Sequence, residues 1–273
     1  MAKAGQISTI KRVLIALDAP LEDQQLLEIA IALAAARQVE LVTLFIEDQE
    51  LFHLAALPFA QEIDRTSARE RKLDALQVAR TLRSQARDLG RMLERLTRQP
   101  RVSHSLRIVR GAYMNTVLSA VTGMDVVFLR KEIGSYKQRP RGRPFDWMAP
   151  VTRQQGKHKA VWTLFNGSAG CARALLTACE IAHADQRDLV IVLQAADSGG
   201  AAELRRQADA LVADQALKAL YTFAPGTDDM ALARLLDSGA CGLVVMHRDT
   251  GSESDTLTRL LLRKLECPLA LVP

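Results

Sequence analysis

No apolar run in the sequence approaches the ~20 residues that a membrane span needs. The opening MAKAGQISTIKR lacks the apolar core of a secretory signal, and a cytoplasmic location is the expectation. Aromatic residues are scarce, at 4% of the chain. Apolar content is carried by Leu, Ala and Val, which suits helices on a buried parallel sheet better than an all-β sandwich. The four cysteines, Cys171, Cys179, Cys241 and Cys267, form no CxxC pair and have no His at metal-ligand spacing. They read as small buried hydrophobes. His53, His104, His158 and His183 share no motif, so no metal centre is expected. Neither a nucleophile elbow nor a Ser-His-Asp order is present.

What is there fits two ordinary domains: 273 residues, 48% hydrophobic and 25% charged. The net charge of +5 is uneven. Arg130 to Arg143 (RKEIGSYKQRPRGR) holds six basic residues against Glu132 alone. This stretch suits either contact with nucleic acid or acidic lipid, or a solvated linker. Without interleaved aromatics for base stacking, the linker reading is preferred.

A repeat is visible within the chain. Arg12 to Asp18 (RVLIALD) reads as a buried strand, Leu21 to Arg37 as a helix opened by Pro20, and Val39 to Ile46 as a second strand. At an offset of 148, AVWTLFN (Ala160 to Asn166) and RDLVIVLQ (Arg187 to Gln194) fall on the two strands. Later parts recur at an offset of 115: SLRIVRG (Ser105 to Gly111) with LYTFAPG (Leu220 to Gly226), then DVVFL (Asp125 to Leu129) with GLVVM (Gly242 to Met246). The difference leaves an insertion in the first copy, with a helical region predicted from Ala68 to Thr97. Its seam is Leu82, Ala86, Leu89, Leu93 and Leu96. Strand–helix–strand units of this kind imply right-handed crossovers and a parallel sheet. The second copy ends with a helix from Thr256 to Leu265 and a strand from Leu269 to Val272. In the first, Ala149-Pro150-Val151 is the only relic of a fifth strand.

RVLIALDAP, AVWTLFNGS, the glycines Gly111 and Gly226, and the ending CPLALVP (Cys267 to Pro273) together resemble the universal stress protein family. The resemblance covers residues 10–133 and 159–273, and it implies two tandem Rossmann-like domains of the adenine nucleotide alpha hydrolase type. Domain 1 spans 10–133 with a long helical insertion at about 48–98. A basic segment follows at 134–158, and domain 2 spans 159–273. The tandem arrangement resembles a fused form of the family's usual dimer, with the two sheets about a pseudo-twofold axis, and leaves a homodimer open.

By the same resemblance, an adenine nucleotide (ATP or AMP) would meet Asp18 and Ile46 in the first copy and Asn166, Gly167, Ser168 and Ala195 in the second. A glycine-rich loop after the fourth strand would cradle its phosphates on bare N–H groups. Here that loop is eroded. Copy one offers Arg130, Lys131, Gly134 and Ser135; copy two offers His247 to Thr256, with Gly251 as its one glycine, Thr256 at the hydroxyl position, and Asp249, Glu253 and Asp255 around them. Catalysis is therefore not expected. The implied protein is a stress-response regulatory or interaction protein that holds a nucleotide weakly. A nucleotide-dependent hydrolase or transferase and a ligand-free scaffold are the alternatives.

Each residue also has a plainer reading. Asp18 suits a turn before Pro20, Ser168 a helix cap, and His247 and Arg248 an exposed loop. Arg83, Arg87, Arg91 and Arg95 repeat at four-residue spacing. Such like charges repel by ~0.2–0.5 kcal/mol per pair. The stripe suits an anionic partner or a solvated face, with Asp88 and Glu94 alongside.

Overall fold

A computed structural model describes residues 12–18, 24–63, 70–120, 124–130, 159–215, 217–225, 229–237, 241–248 and 252–273. In the first half, β1 (Arg12–Leu17), α1 (Gln24–Arg37) and β2 (Glu40–Asp48) form the opening unit. The insertion follows as α2 (Gln49–Ala55), a hairpin of β3 (Gln61–Ile63) and β4 (Glu70–Lys72), and α3 (Ala75–Arg98). Then come β5 (His104–Gly111), α4 (Tyr113–Ala120) and β6 (Val126–Leu129). The second half runs β7 (Ala160–Phe165), α5 (Ala169–Ala184), β8 (Leu189–Ala195), α6 (Ser198–Val212) and β9 (Ala219–Pro225). It closes with α7 (Asp229–Leu236), β10 (Cys241–His247), α8 (Ser252–Lys264) and β11 (Leu269–Val272).

Nine strands form one sheet in the order β5-β2-β1-β6-β11-β10-β7-β8-β9. Within each half, neighbouring strands are parallel and follow the order third, second, first, fourth. The first strands are central because they are apolar on both sides: Val13, Ile15 and Leu17 enter one core, Leu14 and Ala16 the other. α1, α3, α5 and α6 pack on the first face, and α4, α7 and α8 on the second. Both helices that follow the first strands end alike. Gln38 and Gln186, at the offset of 148, take left-handed φ of 56° and 50°. In each, that residue's own N–H and the next one return to carbonyls of the helix's last turn.

The two halves do not pack as separate sheets. β11 pairs antiparallel with β6, Leu269 opposite Leu129 and Leu271 opposite Val127. With β1 on its other side, β6 has no edge left for a fifth strand of its own half. Ala149-Pro150-Val151 lies outside the described residues. A true two-fold joint pairs like with like, whereas here a fourth strand meets a fifth. On the first face α1 packs against α5, and Arg37 donates from Nε to Glu180 at 2.8 Å. One core therefore runs through both halves.

The insertion differs from the expected long helix. Asp74 caps α3, accepting from the Leu76 N–H at 3.2 Å, so the helix begins there and Glu70–Lys72 is strand. The seam is otherwise as read: Leu82, Ala86, Leu89 and Leu93 are buried. Among the described residues, no helix is long and apolar enough to cross a membrane.

Candidate functional site

In open α/β sheets, ligands bind outside the carboxyl ends of the strands. At that edge of the first half, Asp18 after β1 and Ile46 near the end of β2 line one cavity of about 380 Å³. Its size lies within the ~300–1,000 Å³ usual for small-molecule sites. The insertion builds the opposite wall: Leu51 from α2, Glu62 and Arg71 from the hairpin, and Gln77, Val78, Thr81 and Gln85 from α3. The floor is apolar, with Ile46, Leu73, Val78 and Leu82 buried. The sequence brought Asp18 and Ile46 together on the family resemblance; the hairpin wall it did not show.

The lining is acidic. Among the described residues, Asp18, Asp48, Glu62 and Asp74 face the cavity with Arg71 as the one cation. Three of these carboxylates also hold structure. Asp48 accepts from the Glu50 N–H at 2.8 Å to cap α2, Asp74 caps α3, and Glu62 pairs with Arg71 across the hairpin. The Gln77 amide oxygen, turned toward Arg71, accepts from its guanidinium at 3.2 Å. Among the described residues, no histidine, cysteine, serine or lysine lines the cavity. Phe59, Ile63 and Leu76 on the insertion are 76%, 63% and 67% exposed.

Arg130 does not line this cavity. Its N–H lies 3.4 Å from the phenol oxygen of buried Tyr113, which itself donates to the Ala16 carbonyl at 3.1 Å. Tyr113 thus ties the carboxyl ends of β1 and β6 together, where a phosphate loop would open. Lys131, Gly134 and Ser135 lie outside the described residues.

In the second half, the described residues at the corresponding edge crowd together. The Asn166 carboxamide accepts from the Ser168 N–H at 3.0 Å, and Ser168 caps α5 by accepting from the Cys171 N–H at 3.2 Å. Gly167 holds φ at +82°, and a Cβ there would meet Leu204 of α6 at 2.9 Å and Gln207 at 3.1 Å. α6 therefore lies directly over the loop. Ala195 ends β8, and its Cβ would be 3.3 Å from one added at Gly200.

His247 departs from the exposed-loop expectation. It ends β10, is half-buried, and has Nδ1 3.0 Å from the Val272 carbonyl. Its ring passes so close to Gly170 that a Cβ there would sit 2.2 Å from it. The ring thus covers the first turn of α5, the part of a helix suited to anions. Arg248 is likewise half-buried, its N–H donating to the Val272 carbonyl at 2.8 Å. The loop implied at His247 to Thr256 is partly helix, because α8 starts at Ser252. In sequence, Glu253 and Asp255 fall in the first turn of α8, where acidic residues suit the helix dipole. Thr256 is exposed on α8, and Gly251 lies outside the described residues.

Arg83, Arg87, Arg91 and Arg95 are all exposed on α3, with Arg91 paired to Asp88. The cysteines held one arrangement that spacing could not reveal: Cys241 and Cys267 have their Sγ atoms 3.1 Å apart. Among the described residues, no group of three His, Cys, Asp or Glu side chains could hold a metal ion.

No family model matches the sequence, and no curated protein does. Solved structures do. A universal stress protein from Archaeoglobus fulgidus is 12% identical, covers 96% of this chain and 95% of its own, and superposes with a TM-score of 0.52. A functionally unknown protein from Pseudomonas aeruginosa is 13% identical, covers 98% of this chain and 94% of its own, with a TM-score of 0.53. The chain has the universal stress protein fold, carried nearly end to end.

Proposed function

We propose that this protein is a regulatory or interaction protein of the universal stress type that holds an adenine nucleotide weakly in its first half, without turnover. The observation that supports this most is the cavity joining Asp18 and Ile46 at the carboxyl ends of β1 and β2. An apolar floor suits a base, and a carboxylate beside it suits ribose hydroxyls or an exocyclic amine.

The acidic lining favours a ligand with little charge. Like charges ~7 Å apart at an effective dielectric of about 20 repel by about 2 kcal/mol. Several carboxylates therefore disfavour a triphosphate, while AMP or adenosine, with fewer charges or none, suffers less. The described lining brings no histidine, cysteine, serine or lysine to the cavity, which supports holding over hydrolysis.

In the second half, the His247 ring over α5 favours the scaffold reading for that half alone. The exposed Phe59, Ile63 and Leu76 on the insertion support the interaction part of the proposal. Calorimetric titration with adenosine, AMP and ATP tests it on the wild type, Asp18→Ala and Asn166→Ala. The expected order of affinity is AMP or adenosine above ATP, lost in Asp18→Ala and kept in Asn166→Ala. Binding abolished by Asn166→Ala alone would overturn the site, and steady ATP hydrolysis would favour the enzyme alternative.

A further inference from the structure

Two cysteines 26 positions apart meet at the amino edge of the sheet, at the opposite end of β10 from His247. Cys241 opens β10 and is 4% exposed; Cys267 sits half-buried in the turn between α8 and β11. The register that places Val244 beside Leu269 brings the starts of these parallel neighbours together. Their Sγ atoms are hydrogen-bonded at 3.1 Å. The sulfurs are thus already in contact, about 1 Å farther apart than a disulfide bond of ~2.05 Å.

We infer that Cys267 and Cys241 form a reversible thiol–disulfide pair, with Cys267 as the attacking sulfur and Cys241 as the resolving one. The asymmetry follows from position. Cys267 is the more accessible of the two, and the hydrogen bond between the sulfurs lowers its pKa, whereas that same bond and then burial raise Cys241. Lys159 favours thiolate at both sulfurs, and Asp237 opposes it at Cys267.

The oxidant is a hydroperoxide, hydrogen peroxide being the simplest. The Cys267 thiolate attacks a peroxide oxygen; an S–O bond forms, the O–O bond breaks, and hydroxide leaves to become water. Cys241 then attacks the sulfenic sulfur. The S–S bond forms, the S–O bond breaks, and a second water leaves with the Cys241 proton. Two electrons pass from the two thiols to one peroxide. Cys171 and Cys179 take no part, being buried within α5. Burial also pushes the Cys179 thiol up to about 11, away from thiolate at neutral pH.

The test treats the reduced full-length protein with hydrogen peroxide, alkylates free thiols under native conditions, and maps peptides without reduction. One linked peptide pair carrying Cys241 and Cys267 is expected, lighter by two hydrogen atoms and reopened by dithiothreitol. In untreated protein, Cys267 should alkylate at least about tenfold faster than Cys171. Cys241→Ser should leave a sulfenic acid on Cys267 that a dione reagent captures, and Cys267→Ser should abolish capture and linkage together. Oxidation of Cys267 to sulfinic acid in the wild type without a linked peptide would overturn the inference. So would a different cysteine pairing, or Cys267 reacting no faster than Cys171. Should either serine variant fail to fold, the wild-type map decides.

Discussion

Replacing Gly170 with alanine sets a helix preference against a packing clash. The new methyl carbon would stand 2.2 Å from Cδ2 and Nε2 of His247, far inside the ~3.5–4.0 Å of a comfortable contact. The ring must move, and moving it strains the 3.0 Å contact between Nδ1 and the Val272 carbonyl. Alanine in place of glycine stabilises a helix interior by about 0.5–1 kcal/mol, and less in a first turn. Overpacking costs about 1–3 kcal/mol, and a broken hydrogen bond adds about 1 kcal/mol. The clash wins, leaving a net loss of about 1–3 kcal/mol. At about 2–4 °C per kcal/mol for a chain of this size, the melting temperature should fall by roughly 2–12 °C. Thermal denaturation followed by circular dichroism reads this directly. His247→Ala removes the ring, so in that background Gly170→Ala should be neutral or stabilising, with a coupling of about 1–3 kcal/mol. A Gly170→Ala protein that melts above the wild type would refute the reasoning, as would two substitutions that simply add.

Leu271, 0% exposed on β11, lies at the joint between the halves; its truncation to alanine should cost about 2–5 kcal/mol and lower one cooperative melting transition. A biphasic melt in which only part of the signal moves would contradict the shared core. Tyr113→Phe deletes the phenol that donates to Ala16 and should cost about 0.5–1.5 kcal/mol in urea denaturation; an unchanged midpoint would show that water replaces the tie. Replacing Arg83, Arg87 and Arg91 with Gln should leave elution from an anionic polysaccharide column nearly unchanged if the stripe is a solvated face. A shift to much lower salt would establish an anionic partner.

The repeated core was legible because the physics that buries a central strand on both faces writes an unbroken apolar run. RVLIAL and AVWTLF are such runs, and the helices after them are apolar enough to be recognised at the same offset. The α3 seam was equally plain, since Leu82, Leu89 and Leu93 step at helical spacing. The hairpin was not. Gln61–Ile63 and Glu70–Lys72 are short and mostly charged, so no alternation of apolar residues marks them. That hairpin forms a wall of the cavity, so the strand ends were legible but the enclosure was not. His247 read as a loop residue because nothing local predicts that Gly170, on another element, leaves room for its ring. The two sulfurs escaped for a similar reason: they are neighbours through strand register, and register is a property of the sheet.

Joining β6 to β11 within one polypeptide has a consequence for dilution. A joint between two separate chains weakens as concentration falls, whereas tethered partners meet at an effective concentration on the order of millimolar. The nine-stranded sheet should therefore persist when the protein is present in only a few copies. The joint is also unequal, because only the second half contributes its closing strand. Two identical chains would have to accept every substitution twice, once in each partner. Here His247 can fill one edge of the sheet while the cavity beside Asp18 stays open at the other.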